Sequence, residues 1–244
     1  MSRNATKDLT TGSPMKLILG FGIPLLFGML FQQFYNMMDT IIVGKFLGVS
    51  ALASVGATGS INFMIIGFCM GVCNGFAIPV AQRFGAKDEH GMRKFVANSV
   101  WLSIIFAVVM AVLVCVFCRQ ILELMNTPED IIDGSYSYIF VIFLGIPATY
   151  MYNLLSGIMR SLGDSKTPLY LLIFSSILNI ILDLLSIIVL KMGVAGAAWA
   201  TVIAQAVSGF CCLGVIWKKF PILHVQREEW QPDKICILNL CNMG

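Results

Sequence analysis

The feature that most constrains this chain is a series of six long apolar stretches, near 15–42, 52–80, 95–117, 134–158, 168–190 and 194–217. A hydrocarbon core of roughly 30 Å takes about 20 helical residues. A backbone in lipid must satisfy its hydrogen bonds within its own segment, so runs of this length fold as helices. A barrel would show alternating segments of about ten residues. Charged residues make up only 12% of the chain, against about 25% in a soluble domain, too few to cover a water-soluble body. The expected fold is all-α: a polytopic membrane protein built as a bundle of six transmembrane helices. The expected organisation is a cytoplasmic segment over 1–14, a helical body over 15–219, and a tail over 220–244. The fifth and sixth spans are separated only by Lys191-Met192-Gly193, which predicts a tight helical hairpin.

Basic residues set the orientation. Of the 16 Lys and Arg, only Lys45, Arg119 and Lys191 fall on the side opposite the N-terminus. Arg160 and Lys166 are placed in a cytoplasmic loop. The expectation is a multi-pass protein of the cell membrane with both termini in the cytoplasm. No cleavable signal peptide is expected, because Ser2–Pro14 is polar and the first apolar run is too long. An even number of spans would let a duplicated copy enter the membrane in the same direction, the parallel-repeat arrangement. Pro221–Asp233 reads as a polar linker, and Lys234–Gly244 as the start of a truncated seventh helix, so the chain is expected to be a fragment. The eight cysteines lie mostly in apolar runs and read as small hydrophobes. Cys115-x-x-Cys118 has redox or metal spacing, but no second pair or nearby histidine completes a site. No cofactor and no nucleic-acid partner is expected; the surroundings are membrane lipid.

Two of the thirteen acids lie inside spans, Asp39 in the first and Asp183 in the fifth, and no basic residue sits deep enough to neutralise them. A charge at the bilayer centre costs about 2.5–3.5 kcal/mol on the lenient insertion scale, so such residues face a wet cavity or a partner. Asn179 and Asp183 are four apart and share a helix face, as do Gln32, Asn36 and Asp39 at i, i+4 and i+7, and Thr201 and Gln205. Counting about 1.5 Å per residue, Asp39, Asp183, Thr201 and Tyr138 fall in the outer half and Asn179 near the midplane. The first, fourth, fifth and sixth spans can therefore converge on one oxygen-rich pocket. Such a set suits a hard cation, or a proton held by a carboxyl in a dry setting. If the ion is Na⁺, its ligands would be Asp39, Asn179, Asp183 and Thr201. Gln32, Asn36 and Gln205 are expected to line the cavity. Taken singly, the hydroxyls and amides serve equally well as glue between helices. Pro24, Pro79 and Pro147 lie in spans and loosen the helical ladder there. Gly193–Ala200 is rich in small residues and fits close helix packing. His90 and His224 are assigned no role.

Several motifs, in order, resemble the multidrug and toxic compound extrusion (MATE) transporters. They are Met38-Asp39-Thr40-Ile41-Ile42-Val43-Gly44, Ala81-Gln82-Arg83-Phe84-Gly85-Ala86-Lys87-Asp88, Tyr138–Gly145 with Pro147, Arg160-Ser161-Leu162-Gly163-Asp164-Ser165-Lys166-Thr167-Pro168, Asn179-Ile180-Ile181-Leu182-Asp183, and Gly196-Ala197-Ala198-Trp199-Ala200-Thr201. The resemblance implies one lobe of a twelve-helix transporter that exports drugs or organic cations in exchange for Na⁺ or H⁺. It also implies a cation site at Asp39, Tyr138, Asn179, Asp183 and Thr201, and a hinge at Pro24. The missing partner would be a C-terminal six-helix lobe or a second copy. The expected substrates are small molecules, cationic by this resemblance, and the protein is not expected to be an enzyme.

Three rivals stand beside it. A lipid-linked oligosaccharide flippase of related architecture needs basic residues for a pyrophosphate, and the spans read as lacking them. An intramembrane aspartyl protease needs Gly-x-Gly-Asp within a helix, and the only Gly-Asp, Gly163-Asp164, is placed in a loop. A non-transporting truncated remnant is the third.

Overall fold

The computed structural model of the chain describes residues 12–226 and 228–243. Arg3, Lys7 and Arg227 of the charge argument, most of the 1–14 segment, and Gly244 lie outside the described residues. The described residues are helical throughout, with no strand. Five helices are long and apolar enough to cross a membrane by themselves, and a bent pair makes the count six.

The first helix, α1 (Pro14–Leu47), and the second, α2 (Val49–Gly85), are joined by Gly48 alone. The sequence suggested ends near 42 and 52. Both helices run further because backbone beyond the apolar core still forms its helical bonds. Gly48 turns the chain at φ +87°, a left-handed value that favours glycine. α3 (Glu89–Val116) begins earlier than expected, at an N-cap where the Asp88 carboxylate accepts from the Gly91 N–H at 2.9 Å. A short helix, α4 (Cys118–Leu124), follows; its single apolar turn pair gave no span-length signal.

The fourth span is not one helix. α5 (Ile132–Leu144) and α6 (Ile146–Ser161) meet at Gly145 with a bend of 46°. Pro147 opens α6 and has no N–H to give to the preceding turn. A Cβ on Gly145 would strike the Val202 side chain, so the bend is pressed against the helix carrying Val202. α7 (Lys166–Leu184) passes into a π-helical stretch, Leu185–Val189, before the hairpin at Lys191–Gly193 and α8 (Gly193–Lys219). Lys191 and Gly193 both have positive φ, which closes that turn in three residues. The small residues of the hairpin serve packing: Ala197, Ala198 and Ala200 are fully buried, and a Cβ on Gly196 would lie 3.1 Å from that of Ser186.

The core sits among α2, α3, α5, α6 and α8, where Val80, Met92, Ile139, Phe143, Ile146 and Met159 are fully enclosed. α1 is the least buried of these helices. It packs on α7, α2 and α8 but leaves Leu26, Met29, Leu30, Phe34 and Met37 exposed. Such a surface is stable only against lipid or another apolar body.

The tail departs most from expectation. The stretch read as a loose polar linker is docked on α3. Glu229, only 2% exposed, receives Arg93 Nε at 2.9 and 3.0 Å, pairs with His90 Nδ1 at 2.9 Å, and accepts the Gln226 N–H at 2.8 Å. Asn98 Oδ1 accepts from the Asp233 N–H at 2.9 Å, and Trp101 Nε1 donates to the Trp230 carbonyl at 3.2 Å. A ten-residue helix, α9 (Lys234–Met243), then packs across α2 and α3, burying Cys236 and Leu240. His90 thus has a structural contact that its sequence position did not suggest.

Candidate functional site

For reference, the end of the bundle holding Gly48 and the Lys191–Gly193 turn is the hairpin end; the end holding residues 220–233 is the linker end. Two groups of polar side chains in the helices are of interest, one toward each end.

Toward the hairpin end, α1 supplies Asp39, α5 Tyr138, α7 Asn179 and Asp183, and α8 Thr201. Asn179 and Asp183 are fully buried, and Asp39 is 9% exposed. The Asn179 amide is best oriented with Nδ2 donating to Asp183 Oδ2 at 2.9 Å, and with its oxygen accepting from Thr201 Oγ1 and N–H at 3.2 Å each. In the opposite orientation Nδ2 donates to Thr201 Oγ1 at 3.2 Å. The carboxyls of Asp39 and Asp183 are neighbours in the bundle, close enough for each to act on the charge of the other. Each has a buried Oδ1 with no partner. Tyr138 is buried beside both acids.

Tyr35 completes this group and was not expected in it. Its hydroxyl donates to Thr201 Oγ1 at 3.3 Å, and it is buried next to Asp39. The signal was present, since Tyr35 lies four residues before Asp39 on the same helix face. Two neighbouring carboxyls in a dry bundle either share one proton, which leaves a single charge, or stay charged around a bound cation. Among the described residues no three His, Cys, Asp or Glu side chains cluster. A cation here would therefore draw on the two acids plus the neutral oxygens of Asn179 and Thr201.

Toward the linker end lies a cavity of about 790 Å³ between α1, α2, α6 and α7. Its wall is largely apolar, with Phe21, Pro24, Leu25, Met29, Met70, Ile78 and Leu172, and carries the polar side chains Gln32, Gln33, Asn74, Tyr152, Asn153, Ser156 and Arg160. Gln32 lines it. Asn36 and Gln205 are not on this wall: Asn36 is exposed on α1, with Gln33 at 3.5 Å, and Gln205 lies on α8. The 3.6-residue turn carries Asn36 off the Gln32–Asp39 line toward the open side of a helix packed on few neighbours.

Arg160 is a second correction. Its motif placed it in a loop, yet it stands in the last turn of α6 with its side chain on the cavity wall. Pro24 is buried within α1, which continues through it, and also lines the cavity.

Residues 24–185 match the family model described as MatE. The chain belongs to the MATE family of transporters. It is 35% identical over 234 residues to the probable multidrug resistance protein YoeA of Bacillus subtilis strain 168, covering 92% of this chain and 50% of that protein. It is 26% identical to the multidrug export protein MepA of Staphylococcus saprophyticus, covering 95% of this chain and 51% of that protein. A solved outward-facing multidrug resistance MATE transporter superposes with a TM-score of 0.88 at 26% identity, covering 98% of this chain and 53% of that one. The chain spans about half the length of the curated relatives it matches, and the bundle corresponds to one six-helix half of a MATE transporter. These matches, with the apolar helices, support a multi-pass membrane protein of the MATE family.

Proposed function

We propose that this MATE half supplies the coupling-ion site and one wall of the substrate path in an antiporter that exports drug-like small molecules against Na⁺ or H⁺. The observation that carries the reading is the facing pair Asp39 and Asp183, each with an unpartnered buried oxygen and no basic side chain to neutralise it. A structural ion pair would have provided a cation of its own; this pair leaves that position to a mobile one. Asn179 braces the site, its Nδ2 donating to Asp183 Oδ2 at 2.9 Å and its oxygen accepting from Thr201 Oγ1 and N–H at 3.2 Å each.

Export then needs the ion and the substrate to favour different conformations, since a ligand shifts an equilibrium only by its differential affinity. α1 is the element to move. It carries Asp39 at one site and Pro24 and Gln32 at the other, and it is lightly packed. The second lobe, fused or as a separate copy, would close the other side of the path. An orientation with both termini in the cytoplasm accompanies this reading. No hydrolytic or group-transfer chemistry is assigned to the site, in keeping with a transporter family.

Among the described residues this cavity's wall bears no acid, so the wall itself does not favour an organic cation over another drug-like molecule. The test of the main reading uses proteoliposomes of the chain joined to a second six-helix lobe. Asp39→Asn and Asp183→Asn should each abolish dye efflux driven by a Na⁺ or H⁺ gradient while leaving insertion and folding intact. Gradient-driven efflux at the wild-type rate in both variants would end the proposal.

A further inference from the structure

We propose that the linker-end cavity binds the anionic group of an amphipathic small molecule, a carboxylate or phosphate, with the Arg160 guanidinium as its anchor. The inference rests on the reading of this chain as a small-molecule exporter and narrows the class of its substrate.

Four arginines are described, and three of them are accounted for. Arg83 pairs with Asp88 at 3.0 Å, Arg93 with Glu229 at 2.9 Å, and Arg119 with Glu123 at 3.4 Å. Arg160 has no carboxylate within ion-pair distance among the described residues. The titratable groups near it are the Tyr152 hydroxyl and the thiols of Cys73 and Cys212, all neutral at physiological pH. Asp164, the nearest acid in sequence, is occupied: it accepts from the backbone N–H groups of Lys166 and Thr167 at 3.0 Å each and from the Thr167 hydroxyl.

The ordinary explanation for a last-turn arginine is that it caps the helix carbonyls and answers the helix dipole. Here those carbonyls are already taken. Leu162 N–H donates to Ile158 and Met159 O, Asp164 N–H to Met159 O, and Gly163 N–H to Arg160 O, through a turn in which Gly163 has φ +83°. The half-buried guanidinium carries five N–H donors in a fork, and no side chain or carbonyl among the described residues receives them. It lies on the wall of an apolar cavity of about 790 Å³, within the range of roughly 300–1,000 Å³ that holds drug-sized ligands.

A second observation points the same way. Ser156, one turn before Arg160 on the same face of α6, lines the cavity, is 2% exposed, and its Oγ has no hydrogen-bond partner. A carboxylate or phosphate oxygen would accept from both groups. Apolar contacts to Phe21, Met29 and Leu172 would hold the body of the molecule. Arginine forks are matched to these two anions in geometry as well as in charge.

The experiment uses the chain as it stands, in nanodiscs of a zwitterionic lipid, with three probes of one shape: naphthyl phosphate, naphthol and naphthylmethylammonium. Equilibrium dialysis should rank the phosphate about tenfold or more above the ammonium, the difference expected of one charge-assisted pair. Arg160→Gln should remove that preference while leaving naphthol binding within about twofold, and Arg160→Lys should keep most of it, since lysine retains the point charge without the fork. The naphthol control and the lysine variant separate a lost anchor from a lost fold. Adding phosphatidylglycerol to the nanodisc assigns the source: competition with naphthyl phosphate indicates a lipid headgroup, and no competition a soluble anion. Absence of naphthyl phosphate binding to the wild type, equal or tighter binding of the ammonium, or an Arg160→Gln variant that still prefers the phosphate would each overturn the proposal. None of these readouts involves ion coupling, so the result stands apart from that of the Asp39 and Asp183 variants.

Discussion

Glu229→Ala should undock the linker from α3, and the size of the effect follows from the contacts. The Glu229 carboxylate is 2% exposed and holds Arg93 Nε at 2.9 and 3.0 Å, His90 at 2.9 Å and the Gln226 N–H at 2.8 Å. The His90 side chain is 64% exposed, so water recovers most of what that bond provides. The Arg93 side chain is 17% exposed and would be left short of a partner, apart from Glu89 at 3.7 Å. Charge-assisted hydrogen bonds contribute about 1.5–3 kcal/mol each. Counting the Arg93 and Gln226 bonds and discounting His90 gives about 3 kcal/mol, or roughly 100-fold in the docking equilibrium. Amide exchange across residues 226–237 of the chain in nanodiscs should accelerate by that factor, and Trp230 should lose its edge-on contact with Trp101. Exchange within about threefold of wild type would show that apolar packing of α9, and not the ionic clamp, holds the tail, and would refute the reasoning. The pH dependence has a definite sign. Burial opposes ionisation of Glu229, but the Gln226 N–H, Arg93 and His90 outweigh it and hold the carboxyl below the ordinary 4.5. A depressed carboxyl contributes stability that is present above its unfolded value and is lost as pH falls through the folded one. Docking should therefore persist at pH values just under 4.5 and fail only on further acidification.

Gly145→Ala should destabilise the bundle by about 1–3 kcal/mol, the cost of overpacking, because its Cβ would strike Val202. The pair Gly145→Ala with Val202→Ala should recover part of the lost unfolding midpoint in detergent, and no recovery would contradict the assigned contact. Tyr35→Phe removes the hydroxyl that donates to Thr201 at 3.3 Å and should cost about 0.5–1.5 kcal/mol in the same assay. A midpoint unchanged within error would mean that water replaces that bond.

The spans were legible because their signal is additive: twenty apolar residues in a row have few other ways to satisfy a backbone in lipid. Asp39, Asn179, Asp183 and Thr201 come together for a related reason: a carboxyl facing lipid is costly, and helical spacing says which polar neighbours share its face. What failed to show depended on one-residue events or on distant contacts. The 46° bend at Gly145 answers to a missing Cβ facing Val202, fifty-seven positions away in sequence. Glu229 looked like any charged residue in a polar stretch, and its partner Arg93 like any basic residue at a helix start. Only the fold puts them 2.9 Å apart. Arg160 was misread for a third reason. It belongs to a motif rich in Gly, Asp, Ser, Lys and Pro, and composition averaged over that motif says loop, whereas α6 runs to Ser161 and turns the arginine inward.

The two polar centres share α1, and this bears on how an ion at one could act on a ligand at the other. Tyr35 and Asp39 belong to the acid pair, while Pro24, Gly28 and Gln32, one to three turns earlier, belong to the cavity. α7 also spans both, with Pro168 and Leu172 at the cavity and Asn179 and Asp183 at the acids, but it is pinned by α8 through Thr201 and Ser175. α1 is held at the acid end by Asp39, Tyr35, Ile42 and Val43, and at the cavity end by little beyond Pro24. A helix fixed at one end and weakened by a proline near the other responds to a load at its fixed end by moving its free one. In the proposed exchanger, a proton or Na⁺ at Asp39 and Asp183 would therefore reshape the wall opposite Arg160 without any contact between ion and substrate. The coupling free energy would be the difference in α1 position that each ligand prefers.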